Sequence, residues 1–273
     1  MSQQLDFRTV VISDVHLGTP DCKADQVNHF LSSTRCHRLI LNGDIIDGWR
    51  LTKSGRWTEP HSRFVRLILS KVAQGETEVV YLRGNHDGFL NALMPLCLGQ
   101  IRVQEDYEWE TQFGRYLVLH GDCLDIVTRH AEVLAHLGDW GYRVLLRLNR
   151  LYNWWRALRG ADYFSISREI KARVKSAVNF ISKFEEGLTK LARSRGCQGV
   201  VCGHIHVPAD RYIDEVRYLN CGDWVETMSA VVEHLDGRVE LLTYTDFCSR
   251  LAAVPRPPEP VLEPCGEAAL AFA

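Results

Sequence analysis

The chain has 273 residues, 46% of them apolar, with a formal net charge of −2, which suits one large domain or one domain carrying an inserted subdomain. That near-neutral balance lacks the basic footprint of a nucleic-acid binder, and no apolar run reaches the about 18 residues needed to cross a bilayer. The stretch Met1–Asp6 lacks the cationic start and long apolar follow-on of a secretory signal, and the nine cysteines are scattered without a CxxC pair, so the reading is of a cytoplasmic protein with reduced thiols.

In chain order, apolar β-branched runs predict strands at Thr9–Ser13, Leu39–Asn42, Glu78–Leu82, Tyr116–Leu119 and Gly199–Cys202, then at Ala230–Leu235 and Val239–Tyr244. Helical stretches at Lys23–Ser33 and Ser62–Ala73 alternate with the first of these, which indicates α/β layering. Asp236-Gly237 between the last two runs is a hairpin signal and argues against a purely parallel sheet. The expected fold class is α/β, with two mixed β-sheets sandwiched between helices.

Over residues 124–195 the pattern turns helical. Within Ser167–Arg195, Ile170, Val174, Ala177, Val178, Ile181, Phe184, Leu188 and Leu191 keep the helical period of one buried face, and Gly196 ends it. The expected organisation is a core made of residues 1–123 and 196–250, a helical insertion at 124–195, and a disordered proline-rich tail at 251–273.

Five short blocks carry the chemistry, each ending or following a predicted strand: Asp14-Val15-His16, Gly43-Asp44-Ile45-Ile46-Asp47, Gly84-Asn85-His86-Asp87, His120-Gly121-Asp122 and Gly203-His204-Ile205-His206. Asp14 and His16, like His204 and His206, stand two apart, so in an extended segment each pair leaves on one side and can grip one ion. Asp44 has two carboxylate oxygens and can bridge two cations, while Asn85 offers a neutral carbonyl oxygen. Mixed carboxylate, amide and imidazole donors suit Mn²⁺, Fe or Zn²⁺ better than Ca²⁺. Cys123, Cys202 and Cys221 beside the blocks read as small buried fillers.

Their joint order and spacing resemble the calcineurin-like metallophosphoesterases. The resemblance implies the same two-sheet fold and two divalent metal ions, Mn²⁺ first among the candidates. It assigns Asp14, His16, Asp44 and His206 to one ion, and Asp44, Asn85, His120 and His204 to the other. It also implies that His86 serves the transferring phosphoryl group without being a ligand. Asp47 then orients His86 through its other ring nitrogen, although a helix N-cap is an equally ordinary role for an aspartate there.

The strings SDVHLGT, LNGDIIDGW, LRGNHDGFL, LHGD, VCGHIH and NCGDW look like the UDP-2,3-diacylglucosamine pyrophosphatase group of the lipid A pathway. Members of that group cleave the pyrophosphate of a UDP-linked, doubly acylated sugar to UMP and an acylated sugar 1-phosphate. The best characterised of them carry arginine where this chain has His86. The alternative substrate is another nucleotide or small phosphoester, cleaved by a soluble phosphodiesterase or phosphatase with the same metals.

Within the insertion, Val144, Leu148, Leu151, Trp155 and Leu158 form an apolar stripe, and Arg143, Arg147 and Arg150 a basic one. That pairing suits contact with an acyl chain and with the cytoplasmic face of an inner membrane, and it equally suits a helix packed on a core. Ser165, Lys171 and Lys175 are expected to reach the substrate's pyrophosphate or nucleotide, with an N-cap and a solvated face as their ordinary alternatives. The expected substrate contacts are thus Arg147, Trp155, Ser165, Lys171 and Lys175.

Overall fold

The computed structural model describes residues 3–124 and 166–255, the backbone alone over 166–177. The chain runs β1 (Leu5–Ile12), α1 (Ala24–Ser32), β2 (Thr34–Asn42), a short α2 (Gly48–Leu51), α3 (Glu59–Ala73) and β3 (Glu78–Leu82). There follow β4 (Leu96–Leu98), β5 (Ile101–Gln104), β6 (Asp106–Thr111) and β7 (Gly114–Leu119). The described chain resumes in α4 (Ile166–Ser194) and continues through β8 (Gly199–Cys202), β9 (Ala209–Ile213), β10 (Val216–Asn220), β11 (Ser229–Glu233), β12 (Val239–Thr243) and α5 (Tyr244–Ala253).

Two mixed sheets result. The seven-stranded sheet has the order β12-β11-β1-β2-β3-β5-β4, and the five-stranded sheet β6-β7-β8-β10-β9. In each, a parallel centre (β1, β2, β3 and β5; β7, β8 and β10) is flanked by antiparallel strands. The Asp236-Gly237 turn joins β11 to antiparallel β12, with Gly237 in the left-handed region at φ 85°.

The central strands read as unbroken apolar runs because both their faces are buried. Val10, Ile12, Leu39, Leu41 and Val79 face α1, α3 and α5, in a core with Val27, Phe30, Phe64 and Phe247. Their neighbours Val11, Ile40, Val80 and Leu82 face the second sheet, meeting Tyr116, Val118, Val201 and Leu219. Leu117, Leu119, Val200, Cys202 and Tyr218 point the other way, onto Phe184, Leu188 and Ala192 of α4. The architecture is therefore helix, sheet, sheet, helix.

The second half of α4 is the outer layer over the five-stranded sheet, fastened by an ion pair between buried Glu185 and Arg211. Val178, expected on the buried face, is 58% exposed, and among the described side chains of α4 those packed on the sheet begin at Phe184. The insertion stripe with Arg147 and Trp155, together with Ser165, lies outside the described residues. Lys171 and Lys175 lie on α4 where only the backbone is described. Leu251–Ala253 form the last turn of α5, and residues 256–273 are outside the described range.

Candidate metal centre

All five blocks meet at the carboxyl ends of the parallel strands, the end at which open α/β sheets bind ligands. Asp14 and His16 follow β1, Asp44 and Asp47 follow β2, and Asn85 and His86 follow β3. From the second sheet, His120 follows β7, and His204 and His206 follow β8.

Two three-residue groups, Asp14/His16/His206 and Asp44/His120/His204, have donor atoms within 4.8 Å of one another. His206 Nε2 is 3.0 Å from Asp14 Oδ1, and His16 Nε2 is 3.4 Å from His206 Nε2. Asp44 joins the two groups. Its Oδ2 lies 3.3 Å from His120 Nε2 and 4.0 Å from His16 Nε2, while its Oδ1 accepts the His86 backbone N–H at 2.8 Å. One oxygen is thus fixed by the loop and the other faces both groups. A third group, His16/Asp44/His86, satisfies the same distance condition, so the geometry also leaves His86 within ligand reach.

The reason Asp14 and His16 converge differs from the sequence expectation. Neither pair sits in extended backbone: Asp14, His16, Asp44, His204 and His206 all have φ between 52° and 67°. For side chains with a Cβ this left-handed region is disfavoured, and it persists where surrounding structure enforces it, commonly at functional sites. Here the enforcement is visible. Asp14 N–H and His16 N–H donate to the carbonyls of Gly43 and Asp44 at 3.1 and 2.9 Å, so the first two loops hold each other.

Close backbone approach explains two of the glycines. A Cβ on Gly84 would lie 2.2 Å from Asp44 Oδ1, and one on Gly203 would lie 2.0 Å from Ser13 Oγ and 2.3 Å from Asp14 Oδ2. The Asp14 carboxylate is held there by the His204 N–H at 3.0 Å and by Ser13 Oγ at 2.5 Å.

Four of the five imidazoles, those of His16, His86, His120 and His206, have a partner at Nδ1, which leaves Nε2 facing the centre. His120 Nδ1 lies 3.0 Å from the Asn42 carbonyl. His16 Nδ1 and His86 Nδ1 lie 3.5 and 3.1 Å from Asp47 Oδ2, the latter contact bent away from hydrogen-bond geometry. His206 Nδ1 lies 3.4 Å from Asp223 Oδ2. Asp47 also caps α2, its Oδ1 accepting the Arg50 N–H at 2.7 Å, which is the N-cap role the sequence offered as the alternative.

Burial works against the charged forms here, and the opposite charges outweigh it. Asp14 is held far below the ordinary carboxylate range by His206 and His120, and Asp44 is lowered chiefly by His120. His120 is pushed up to about 10 by Asp44 and Asp14, and His206 up to about 9 by Asp14. Asp47 is likewise lowered, with His16 the main opposing partner to its burial. The carboxylates are thus held ionised and His120 and His206 protonated, so paired opposite charges fill the buried centre.

The donor set fits divalent cations. Asp14 Oδ1, Asn85 Oδ1 and His120 Nε2 are buried with no hydrogen-bond partner, a cost that a coordinated ion removes. With only oxygen and nitrogen donors, the site matches transition-metal chemistry rather than a structural cysteine zinc site.

Asp87 has a different task. Buried, with its pKa raised to about 6 by that burial and by Asp44, it accepts from Ile46 N, Ile45 N and Tyr81 Oη at 3.0, 3.2 and 2.9 Å. It ties the β3 loop to the β2 loop. Asp122 pairs with Arg83 at 2.8 Å. Cys202 and Cys221 are buried, but Cys123 is exposed because it stands in the turn after His120-Gly121 rather than in a strand.

Sequence reading passed over two residues. Asp223 follows the β10 strand in Gly222-Asp223, the same strand–Gly–Asp pattern as Gly43-Asp44, and that repetition was its signal. Its Oδ1 also accepts the backbone N–H groups of Val225 and Thr227 at 2.8 and 3.0 Å, which locks the carboxylate before it meets His206. Trp49, two residues after Asp47, lies against His86 with ring centroids 4.3 Å apart.

Residues 7–208 match the sequence profile of the calcineurin-like phosphoesterase family. Among curated proteins, the chain is similar to a UDP-2,3-diacylglucosamine hydrolase of Pseudomonas aeruginosa, at 26% identity over 223 residues, 78% of this chain and 89% of that one. It is similar also to the UDP-2,3-diacylglucosamine hydrolase of Aeromonas salmonicida, at 26% over 241 residues, 82% and 89%. Among solved structures it is similar to Yfce, a phosphoesterase from E. coli, at 14% identity and TM-score 0.40, over 86% of this chain and 98% of that one. With the family profile spanning most of the folded chain and its buried carboxylate–imidazole groups in place, the chain belongs to the calcineurin-like phosphoesterases and is a metal-dependent phosphoester hydrolase.

Proposed function

We propose that this phosphoesterase cleaves the pyrophosphate of UDP-2,3-diacylglucosamine or a similar UDP-linked glycolipid, giving UMP and an acylated sugar 1-phosphate, at the cytoplasmic face of a membrane. The observation that carries the reaction class is the pair of groups Asp14/His16/His206 and Asp44/His120/His204, linked through Asp44 Oδ2. The substrate reading is supported by relatives named for UDP-2,3-diacylglucosamine hydrolysis at 24–26% identity.

In this reading Asp14, His16, Asp44 and His206 hold one cation, and Asp44, Asn85, His120 and His204 the other. When bound, two such cations, Mn²⁺ first among the candidates, would lower the pKa of a water and neutralise charge on the phosphoryl oxygens. The residues do the rest. His86 meets the reacting phosphoryl group or the leaving oxygen, and Asp47 fixes its ring. Asp223 and Asn42 fix the rings of His206 and His120. Arg147, Trp155, Ser165, Lys171 and Lys175 are assigned to acyl chain and pyrophosphate on their sequence pattern.

A second reading, a soluble phosphodiesterase or phosphatase on another nucleotide or small phosphoester, is favoured by His86 itself, which stands where the resembled group carries arginine. A panel decides between them. Initial rates with added Mn²⁺ are compared for the UDP-diacylated sugar, UDP-sugars without acyl chains, and simple phosphomonoesters. Preference for the acylated substrate is expected. Equal kcat/KM with and without acyl chains establishes the second reading. Asp44→Ala, tested alongside, is expected to abolish every activity and to lose at least one ion.

A further inference from the structure

The ten residues after Asp47 carry a separate signal. Gly48-Trp49-Arg50-Leu51-Thr52-Lys53-Ser54-Gly55-Arg56-Trp57 holds two indoles and three cations and no carboxylate. The segment is a fixed loop. Asp47 caps its start, Arg50 O accepts the N–H groups of Ser54 and Gly55 at 3.0 and 2.7 Å, and Arg56 N–H donates to Gly18 O at 3.2 Å. Leu51 packs inward against Gly18, and Thr58 begins α3 with a capping box.

What this framework presents outward is an unusual surface. Trp49 is 53% and Trp57 43% exposed, and Arg50, Lys53 and Arg56 are exposed between them. Among the described residues, none of these three cations has a carboxylate partner in an ion pair. From the next loop Phe89, about as exposed as Trp49, brings its ring close to Gly48. Trp49 itself lies against His86, so this surface borders the metal centre. Exposed indoles alternating with lysine and arginine match the polar–apolar boundary of a lipid bilayer, where an indole is half solvated and cations meet anionic headgroups.

We propose that Trp49–Trp57 is a membrane-docking loop for an anionic lipid surface, which seats the mouth of the metal centre at headgroup level. This rests on the glycolipid reading only for its purpose, since docking itself needs no substrate. Each cation near an anionic surface contributes roughly fivefold in partitioning, so a double charge reversal removes well over tenfold.

The test uses full-length, metal-loaded protein in co-sedimentation with phosphatidylcholine vesicles, with and without phosphatidylglycerol. Lys53→Glu/Arg56→Glu is the main variant, because among the described residues neither side chain makes an ion pair. Trp57→Ser is the second, checked by its melting temperature, since Trp57 Nε1 donates to Ser62 Oγ at 2.9 Å. Trp155→Glu reports on the insertion. The expected result is binding only with phosphatidylglycerol, a loss of tenfold or more in the charge reversal, and unchanged turnover of a water-soluble chromogenic phosphodiester. Failure of the wild type to bind these vesicles, or wild-type binding by the charge reversal, or loss only in Trp155→Glu, overturns the proposal. Loss of acyl preference with vesicle binding intact sinks the substrate reading alone.

Discussion

Asp47 Oδ2 lies 3.1 Å from His86 Nδ1, and the same oxygen lies 3.5 Å from His16 Nδ1. One buried carboxylate therefore supports an imidazole assigned to the phosphoryl group and an imidazole assigned to a cation. Asp47→Asn keeps the cap on Arg50 N but removes the negative charge from both rings. Metal affinity and kcat should each fall about 10–100-fold. Mn²⁺ titration beside steady-state kinetics checks this, and a fall in kcat with unchanged affinity would assign Asp47 to His86 alone.

His86→Ala separates the two positions that the geometry allows for that side chain. With His86 serving the phosphoryl group, kcat falls roughly 10²–10⁴-fold while two cations per chain remain bound. Metal analysis of the purified variant is the check. Loss of one cation would place His86 among the ligands, as the His16/Asp44/His86 grouping permits.

Gly84→Ala places a methyl group where Asp44 Oδ1 now sits, at 2.2 Å from it. The carboxylate must move, and a shift near 1 Å in catalytic geometry costs about 10²-fold in rate. Stability should fall by about 1–3 kcal/mol, typical of overpacking. Denaturant unfolding and kcat measured on one preparation test whether the rate loss outruns the stability loss.

The metal-free protein should have its own pH dependence. His120, at about 10, and His206, at about 9, both lie above their ordinary 6.5. A raised histidine pKa contributes stability that is complete below the unfolded value of about 6.5 and disappears as pH rises through the folded value. Chelator-treated protein should therefore lose Tm between about pH 7 and pH 10, the upper bound set by these two groups. Metal binding displaces the same protons, so the loaded protein should show a flatter profile and calorimetry should record proton release. A Tm of the chelated protein that is flat across this range would contradict the assignment.

Local sequence determined where the strands end and which donors follow them. The runs ending at Asn42, Leu82, Leu119 and Cys202 are apolar on both faces because they lie between two buried layers, and that demand is written residue by residue. The strands β4, β5, β6, β9 and β10 were not legible: the edges β4, β6 and β9 bury little and carry a weak pattern, and β5 and β10 are runs of four and five residues broken by Arg102 and Arg217. Only the tertiary structure decided the rest. Five left-handed residues, with Asp14, His16 and His204 fixed by hydrogen bonds between loops far apart in sequence, aim these side chains where extended spacing was expected to do so. The choice of Nε2 over Nδ1 at His16, His120 and His206 depends on Asp47, Asn42 and Asp223, contributed by other loops. Val178 kept the helical period yet faces solvent, because a periodic stripe marks a face without saying how far along the helix its partner reaches.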